Sequence, residues 1–151
     1  FELWYADWKN GTQPYIRQFE NYVGILLGYQ PEACDQRGIC GIQNVVEADG
    51  SVYPCDFYML DEYRLGNFNA NQMEEINAKR KEIGFIERSL QLKESCKSCP
   101  YFTICRGGCQ RNRDYDQVSG MYENYFCKSY EMFFDACLPK MKEMAETLKR
   151  R

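Results

Sequence analysis

Histidine is absent from all 151 residues. That gap removes Ser-His-Asp and Cys-His nucleophilic mechanisms, and with them imidazole ligation of zinc or haem. Any metal this chain binds is therefore held mainly by thiolates. Positive charge is not in excess either: 19 Lys and Arg stand against 22 Asp and Glu. No basic stripe interleaved with aromatics appears, which argues against nucleic acid as a partner. No apolar run approaches the roughly eighteen residues of a membrane span, the longest being Val23-Gly24-Ile25-Leu26-Leu27. A secretory leader is missing as well, so the cytoplasm is the expected location. The chain begins at Phe1 rather than Met, as a piece of a longer polypeptide would.

What is abundant is cysteine, with nine residues, together with twelve Tyr and nine Phe. Such a chain forms a packed domain in which staples share the work of a modest core. Its fold class is expected to be α+β, a small domain with a β-hairpin, cysteine-rich loops and flanking helices. Thr12-Gln13-Pro14 reads as a helix start, followed at helical spacing by Ile16, Phe19, Val23, Leu26 and Leu27, with Gly28 as the stop. The β-branched run from Ile42 is followed by Asp49-Gly50, a two-residue hairpin signal that would set Asn44 opposite Cys55. Cys40 and Cys55 would then share the open end of one hairpin. Asn71 and Glu74 resemble a capping box before a polar helix that stops at Gly84. A final helix carries Tyr130, Phe133, Phe134, Cys137 and Met141 on one face, and Pro139 is expected to interrupt it. These signals suggest a linker helix over 1–30, a central domain over 31–137 and a charged helical tail over 138–151.

The cysteines fall into two groups. Cys34-x5-Cys40-x9-Gly50-x4-Cys55 is the first; Cys96-x2-Cys99-x5-Cys105-x3-Cys109, then Cys127, is the second. Cys137 stands apart, most simply as a small buried hydrophobe. Eight grouped thiols make two sets of four, which is what two [4Fe–4S] cubanes require. Two rivals stand beside that reading. A disulfide framework is disfavoured by the odd count and the close C-x2-C pair. A zinc-stapled interaction module would use four cysteines, but zinc ribbons usually pair two C-x2-C knuckles and only Cys96/Cys99 has that form. Lys93, Lys97, Arg106, Arg111, Arg113 and Lys128 lie near these cysteines in sequence. They would either balance cluster charge or form a solvated basic face.

The pattern C-x9-G-x4-C, then C-x2-C-x5-C-x3-C, then C, carried by Cys40, Gly50, Cys55, Cys96, Cys99, Cys105, Cys109 and Cys127, resembles the seven-cysteine motif of SPASM domains. These are the auxiliary iron–sulfur C-termini of radical S-adenosylmethionine enzymes. Tyr53-Pro54-Cys55-Asp56-Phe57-Tyr58, Leu65-Gly66-Asn67, the additional Cys34 and Tyr125-Phe126-Cys127-Lys128-Ser129-Tyr130 are similar to the anaerobic sulfatase-maturating subfamily, in keeping with an anaerobic bacterium. The resemblance implies that Cys34, Cys40, Cys55 and Cys109 ligate a cluster near the substrate. It implies that Cys96, Cys99, Cys105 and Cys127 ligate an outer one, and that Asp56 is the general base. It further implies uptake of a substrate electron as a sulfatase Cys or Ser is oxidised to formylglycine, with an external redox partner. The C-x3-C-x2-C loop that generates the radical is absent, because no third cysteine follows Cys105-x3-Cys109. S-adenosylmethionine, a third [4Fe–4S] cluster and the catalytic barrel are therefore expected outside this chain, which alone should be inactive. A ferredoxin-like electron carrier is the alternative.

Overall fold

The computed structural model describes residues 1–150. These form two compact units, one built from residues 1–38 together with 92 onward, the other from Ile39–Gln91. Short helices and two small antiparallel sheets make it an α+β protein, as expected.

The first unit opens with α1 (Glu2–Lys9), α2 (Arg17–Leu26) and the single turn α3 (Cys34–Arg37). Helix α2 begins three residues beyond the Pro14 signal. The Pro14 carbonyl accepts the indole N–H of buried Trp4 at 2.8 Å, and Ile16 is still extended at φ −121° and ψ 99°. A helix from Pro14 would have to give up that bond.

The second unit holds a three-stranded antiparallel sheet, β1 (Val45–Val46), β2 (Ser51–Tyr53) and β3 (Gly66–Asn67). Val45 pairs with Tyr53 and Val46 with Val52, so the register continues to Pro54, not Cys55, opposite Asn44. The slip comes from the turn. Glu47 N–H donates to the Ser51 carbonyl at 2.9 Å, which leaves three residues, Ala48-Asp49-Gly50, in the loop. Gly50 takes the left-handed position at φ 87°, the form a three-residue hairpin uses. Val52, Leu65 and Ile76 make the small core of this unit. Helix α4 (Met73–Glu82) starts one residue later than expected, on a Gln72/Glu75 capping box. The Asn71 carboxamide is already used, accepting from the Asn67 N–H at 3.0 Å. Gly84 ends α4, and α5 (Phe85–Arg88) follows.

Back in the first unit come α6 (Glu94–Lys97), α7 (Phe102–Cys105), a hairpin of β4 (Arg113–Asp116) and β5 (Met121–Asn124), and α8 (Cys127–Lys149). The β4–β5 hairpin had no counterpart in the sequence reading. Helix α8 runs unbroken for 23 residues through Pro139, which corrects the expected interruption. A proline within a helix costs about 3 kcal/mol. Phe134 precedes it and Met141 and Met144 follow it, all fully buried in a core with Trp4, Tyr22 and Ile104. Each such side chain gains roughly 1.5–3 kcal/mol on burial, so packing outweighs the lost hydrogen bond. Cys137 lies in that core, as a small hydrophobe should. Among the described residues no helix is long and apolar enough to cross a membrane.

Candidate metal centre

In the first unit, four of the eight grouped thiols converge. Cys96, Cys99, Cys105 and Cys127 line one cavity of about 100 Å³, with the Phe102 ring as part of its apolar wall. Each comes from a helix end. Cys96 sits in α6 and Cys99 just beyond it, with Cys99 N–H donating to the Cys96 carbonyl at 3.2 Å. Cys105 closes α7 and Cys127 opens α8. The short x2 and x5 spacings thus become two single-turn helices that hold three sulfurs on one side, and the long α8 brings the fourth. All nine cysteines are free thiols, without disulfides.

Burial pushes the Cys96, Cys105 and Cys127 thiols above the ordinary thiol range. At Cys105 the backbone N–H of Gly107 works against burial by donating to the sulfur. Thiols in such surroundings stay protonated until a metal displaces the proton, and metal coordination does so readily. Among the described residues no three Cys, Asp or Glu side chains converge tightly enough to hold a single metal ion. A cavity walled by four sulfurs fits a polynuclear iron–sulfur core, one thiolate per iron.

Cys109 is not part of that cavity. Between it and Cys105 lie Arg106, Gly107 and Gly108, three successive left-handed residues at φ 51°, 79° and 62°. Arg106 is held there by its own side chain, which donates to the Thr103 carbonyl at 3.1 Å and the Gln36 carbonyl at 3.3 Å. Gly38 allows the approach, since a Cβ there would stand 2.7 Å from the Cβ of Arg106. These contacts bring α3, with Cys34 at its start, against the loop that ends in Cys109. Burial raises the Cys109 thiol, an N–H bond from Arg111 opposes it, and the neighbouring Cys34 raises it further. Cys34 and Cys109 thus lie near each other within the first unit.

Cys40 and Cys55 belong to the second unit. The Cys40 N–H donates to Ser89 Oγ at 3.0 Å, and that hydroxyl donates to the Ile86 carbonyl at 2.5 Å. Cys55 follows β2 in extended conformation, φ −164°. Its thiol donates to Asp56 Oδ1 at 3.2 Å. Asp56 opens a 3₁₀ turn, Asp56–Tyr58, and is exposed.

The basic residues near the cysteines separate clearly. Lys97 pairs with Glu94, Lys128 with Glu131, and Lys93 with Asp116 and Glu123, at 2.7–3.1 Å. Of the six basic residues near the cysteines in sequence, Arg113 alone is buried, with 8 % of its surface exposed. Its Nε donates to the Gly107 carbonyl at 3.0 Å and its Nη2 to the Gly108 carbonyl at 2.6 Å. The Asn124 amide, also buried, joins on the Gly107 carbonyl at 3.0 Å. Sequence alone did not show this support of the Gly107-Gly108 turn. The Arg-Gly-Gly run between two cysteines was its one visible sign.

Four sulfurs around one cavity are a donor set suited to an iron–sulfur core, and the comparisons point to the same chemistry. Residues 39–100 match SPASM, an iron–sulfur cluster-binding domain. Over those residues the chain is similar to that domain, and over nearly its whole length it is similar to part of several anaerobic sulfatase-maturating enzymes. It is 42 % identical, over 99 % of its length, to a cysteine-type anaerobic sulfatase-maturating enzyme of Clostridium perfringens (strain 13 / Type A), and spans 40 % of that protein. The cysteine-type enzyme of Clostridium novyi (strain NT) is 39 % identical over the whole chain, again with 40 % of its own length covered. A serine-type enzyme of Bacteroides thetaiotaomicron is 32 % identical over 89 % of the chain and 33 % of its own length. A solved structure, native anSMEcpe with bound AdoMet and Cp18Cys peptide, superposes with a TM-score of 0.87 at 42 % identity. It covers 97 % of this chain, and 41 % of that one is matched.

Proposed function

We propose that this chain is the auxiliary-cluster part of a radical S-adenosylmethionine enzyme that matures sulfatases under anaerobic conditions. The observation that carries the reading is the convergence of Cys96, Cys99, Cys105 and Cys127 on one cavity. In this reading these four thiolates hold one [4Fe–4S] cluster, and Cys34, Cys40, Cys55 and Cys109 hold the other. When bound, such clusters supply one-electron acceptor capacity, and four-thiolate ligation reserves no position for substrate. The chain's residues would fix the clusters and shield them from water. Asp56 would take the proton from the target side chain as that residue is oxidised to formylglycine. Its carboxylate is exposed one residue beyond a proposed ligand, and the Cys55 thiol that donates to it would lose that proton on binding iron. The 39–42 % identity to cysteine-type enzymes, against 32 % to a serine-type one, supports cysteine as the target. Binding of S-adenosylmethionine, a third cluster and hydrogen abstraction are assigned to a barrel outside these residues. The remaining partners are a sulfatase polypeptide and an external electron acceptor.

Anaerobic reconstitution tests the metal assignment. About eight irons and eight sulfides per chain, beyond those of the barrel, are expected. Stoichiometric zinc without cluster absorbance sinks the reading. For the base, Asp56→Asn in the full-length protein should lower turnover of a sulfatase peptide on the order of 10²–10⁴-fold at unchanged iron content. Wild-type turnover in that variant removes Asp56 from the chemistry.

A further inference from the structure

One wall of the four-thiol cavity is also the wall of an open groove. Cys127, Glu123 and Glu131 line both the cavity and a groove of about 440 Å³ formed by the β4–β5 hairpin and the first turns of α8. Of the four thiols, Cys127 alone reaches that groove. Electron tunnelling weakens steeply with distance, so a cluster held by Cys127 would exchange electrons most readily here. The groove is also charged. Lys93 answers both Asp116 and Glu123, and Lys128 answers Glu131. Asp114, exposed on β4, meets no cation among the described residues and stands opposite Glu123 in the ladder. Like charges directly opposite weaken a hairpin, a local conflict of the kind that functional sites carry. The excess charge is negative, and four thiolates around an iron–sulfur core would add to it.

Two rings stand on the rim, Tyr115 at 55 % and Tyr125 at 74 % exposure. Such rings offer contact area to a protein and a face to a cation. A small-molecule site would enclose most of its ligand, whereas an open groove suits the small, transient contacts of redox proteins. Resting on the cluster reading above, we propose that this groove docks an electron-accepting protein whose cofactor is ringed by lysine and arginine, and that the electron leaves past Cys127. The outer cluster gives up one electron and the acceptor's cofactor gains it; no bond forms or breaks and no proton moves. Negative charge in the groove steers the basic partner and acts mainly on the rate of association.

The test uses full-length, anaerobically reconstituted protein, reduced, freed of excess reductant and mixed in a stopped-flow with cytochrome c, a basic one-electron acceptor. Cytochrome c with succinylated lysines keeps the haem and reverses the surface charge. At low ionic strength the basic form should be reduced roughly tenfold faster or more, and the gap should close near 1 M salt, where charges are screened within about 3 Å. Asp114→Lys should slow the basic form about tenfold and quicken the succinylated one. Glu146→Lys makes the same charge change at an exposed position of α8 outside the groove, and should change neither rate appreciably. Equal rates for the two probes, or equal slowing by the two variants, overturn the inference. If Asp114→Lys fails to load iron, Asp114→Asn replaces it; a smaller slowing is then expected, and none overturns the inference. Full iron content with unselective oxidation removes the docking site alone. A wild-type protein whose cysteines here take up no iron is a different failure, because it removes the cluster reading itself.

Discussion

Single residues in the Cys105–Cys109 loop carry constraints that a larger side chain cannot meet. Gly108 sits at φ 62°, and a Cβ there would lie 2.6 Å from the Asn124 amide nitrogen. That amide is buried and bonded to the Gly107 carbonyl, so it has no cheap retreat. Gly108→Ala should therefore cost about 1–3 kcal/mol from backbone strain and the displaced bond. Gly84→Ala, where the conformation is also left-handed but nothing stands within 4 Å, should cost only about 1 kcal/mol. Urea unfolding of the two variants side by side checks the difference. Sequence reading reached the cysteines because spacing alone marks them. It did not reach Arg113 or Asn124, whose roles depend on where β4 and β5 return, and no local signal in the sequence announced that hairpin.

At the scale of elements, the strongest electrostatic feature is the tie between Lys93 and the β4–β5 hairpin. Lys93 Nζ lies 3.0 Å from Asp116 Oδ2 and 2.7 Å from Glu123 Oε2. Bonding to Lys93 holds the Asp116 carboxyl at about 2, below its ordinary value of 3.8. A carboxyl depressed by folding contributes stability above its unfolded value and loses it as pH falls through the folded one. The hairpin should thus be unaffected above pH 5 and loosen between about pH 4 and 2, with Lys93→Met weakening that dependence and the Val118 N–H bond to Asp116 keeping part of it. Amide exchange at Tyr115 and Tyr122, which face each other in the ladder, reports the outcome. The same scale shows why element ends were harder to read than elements. The Asp49-Gly50 and Asn71/Glu74 signals each marked the right feature one residue out of place. In both cases a longer-range hydrogen bond, Glu47 to Ser51 or Asn67 to Asn71, chose between neighbouring registers. Pro139 failed as a breaker for a related reason, since local propensity is small beside the burial of Phe134, Met141 and Met144.

For the molecule as a whole, two sources of stability are separable. Trp4, Tyr22, Val23, Phe134, Met141 and Met144 form an apolar core that α7 reaches only through Ile104 and the edge of Cys105. Helices α6 and α7 are single turns of four residues each, too short to stand without help. Removing metal by chelation should therefore leave amide protection in α2 and α8 essentially unchanged. Protection over 94–109 should fall about tenfold or more, and hydrogen exchange with mass spectrometry on holo and apo protein resolves the two regions. Equal loss in both would show that the core depends on metal after all. The thiol spacing had already grouped Cys96, Cys99, Cys105 and Cys127, the four that line one cavity. The division of the cysteines between two compact units was not legible, because residues 39–91 interrupt the unit that begins and ends the chain.

The run of three left-handed residues after Cys105 also bears on how this protein can change in length. Cys105 and Cys109 turn toward different partners across a run of three left-handed residues. One residue more or fewer would rotate Cys109 out of phase with Cys34 while leaving Cys105 in place. Insertions and deletions should accordingly be purged from this stretch, whereas the tip of the β4–β5 hairpin, where Val118 is 97 % exposed, is open to them. Lineages of this protein should differ in length at that tip and agree, residue for residue, between the two cysteines.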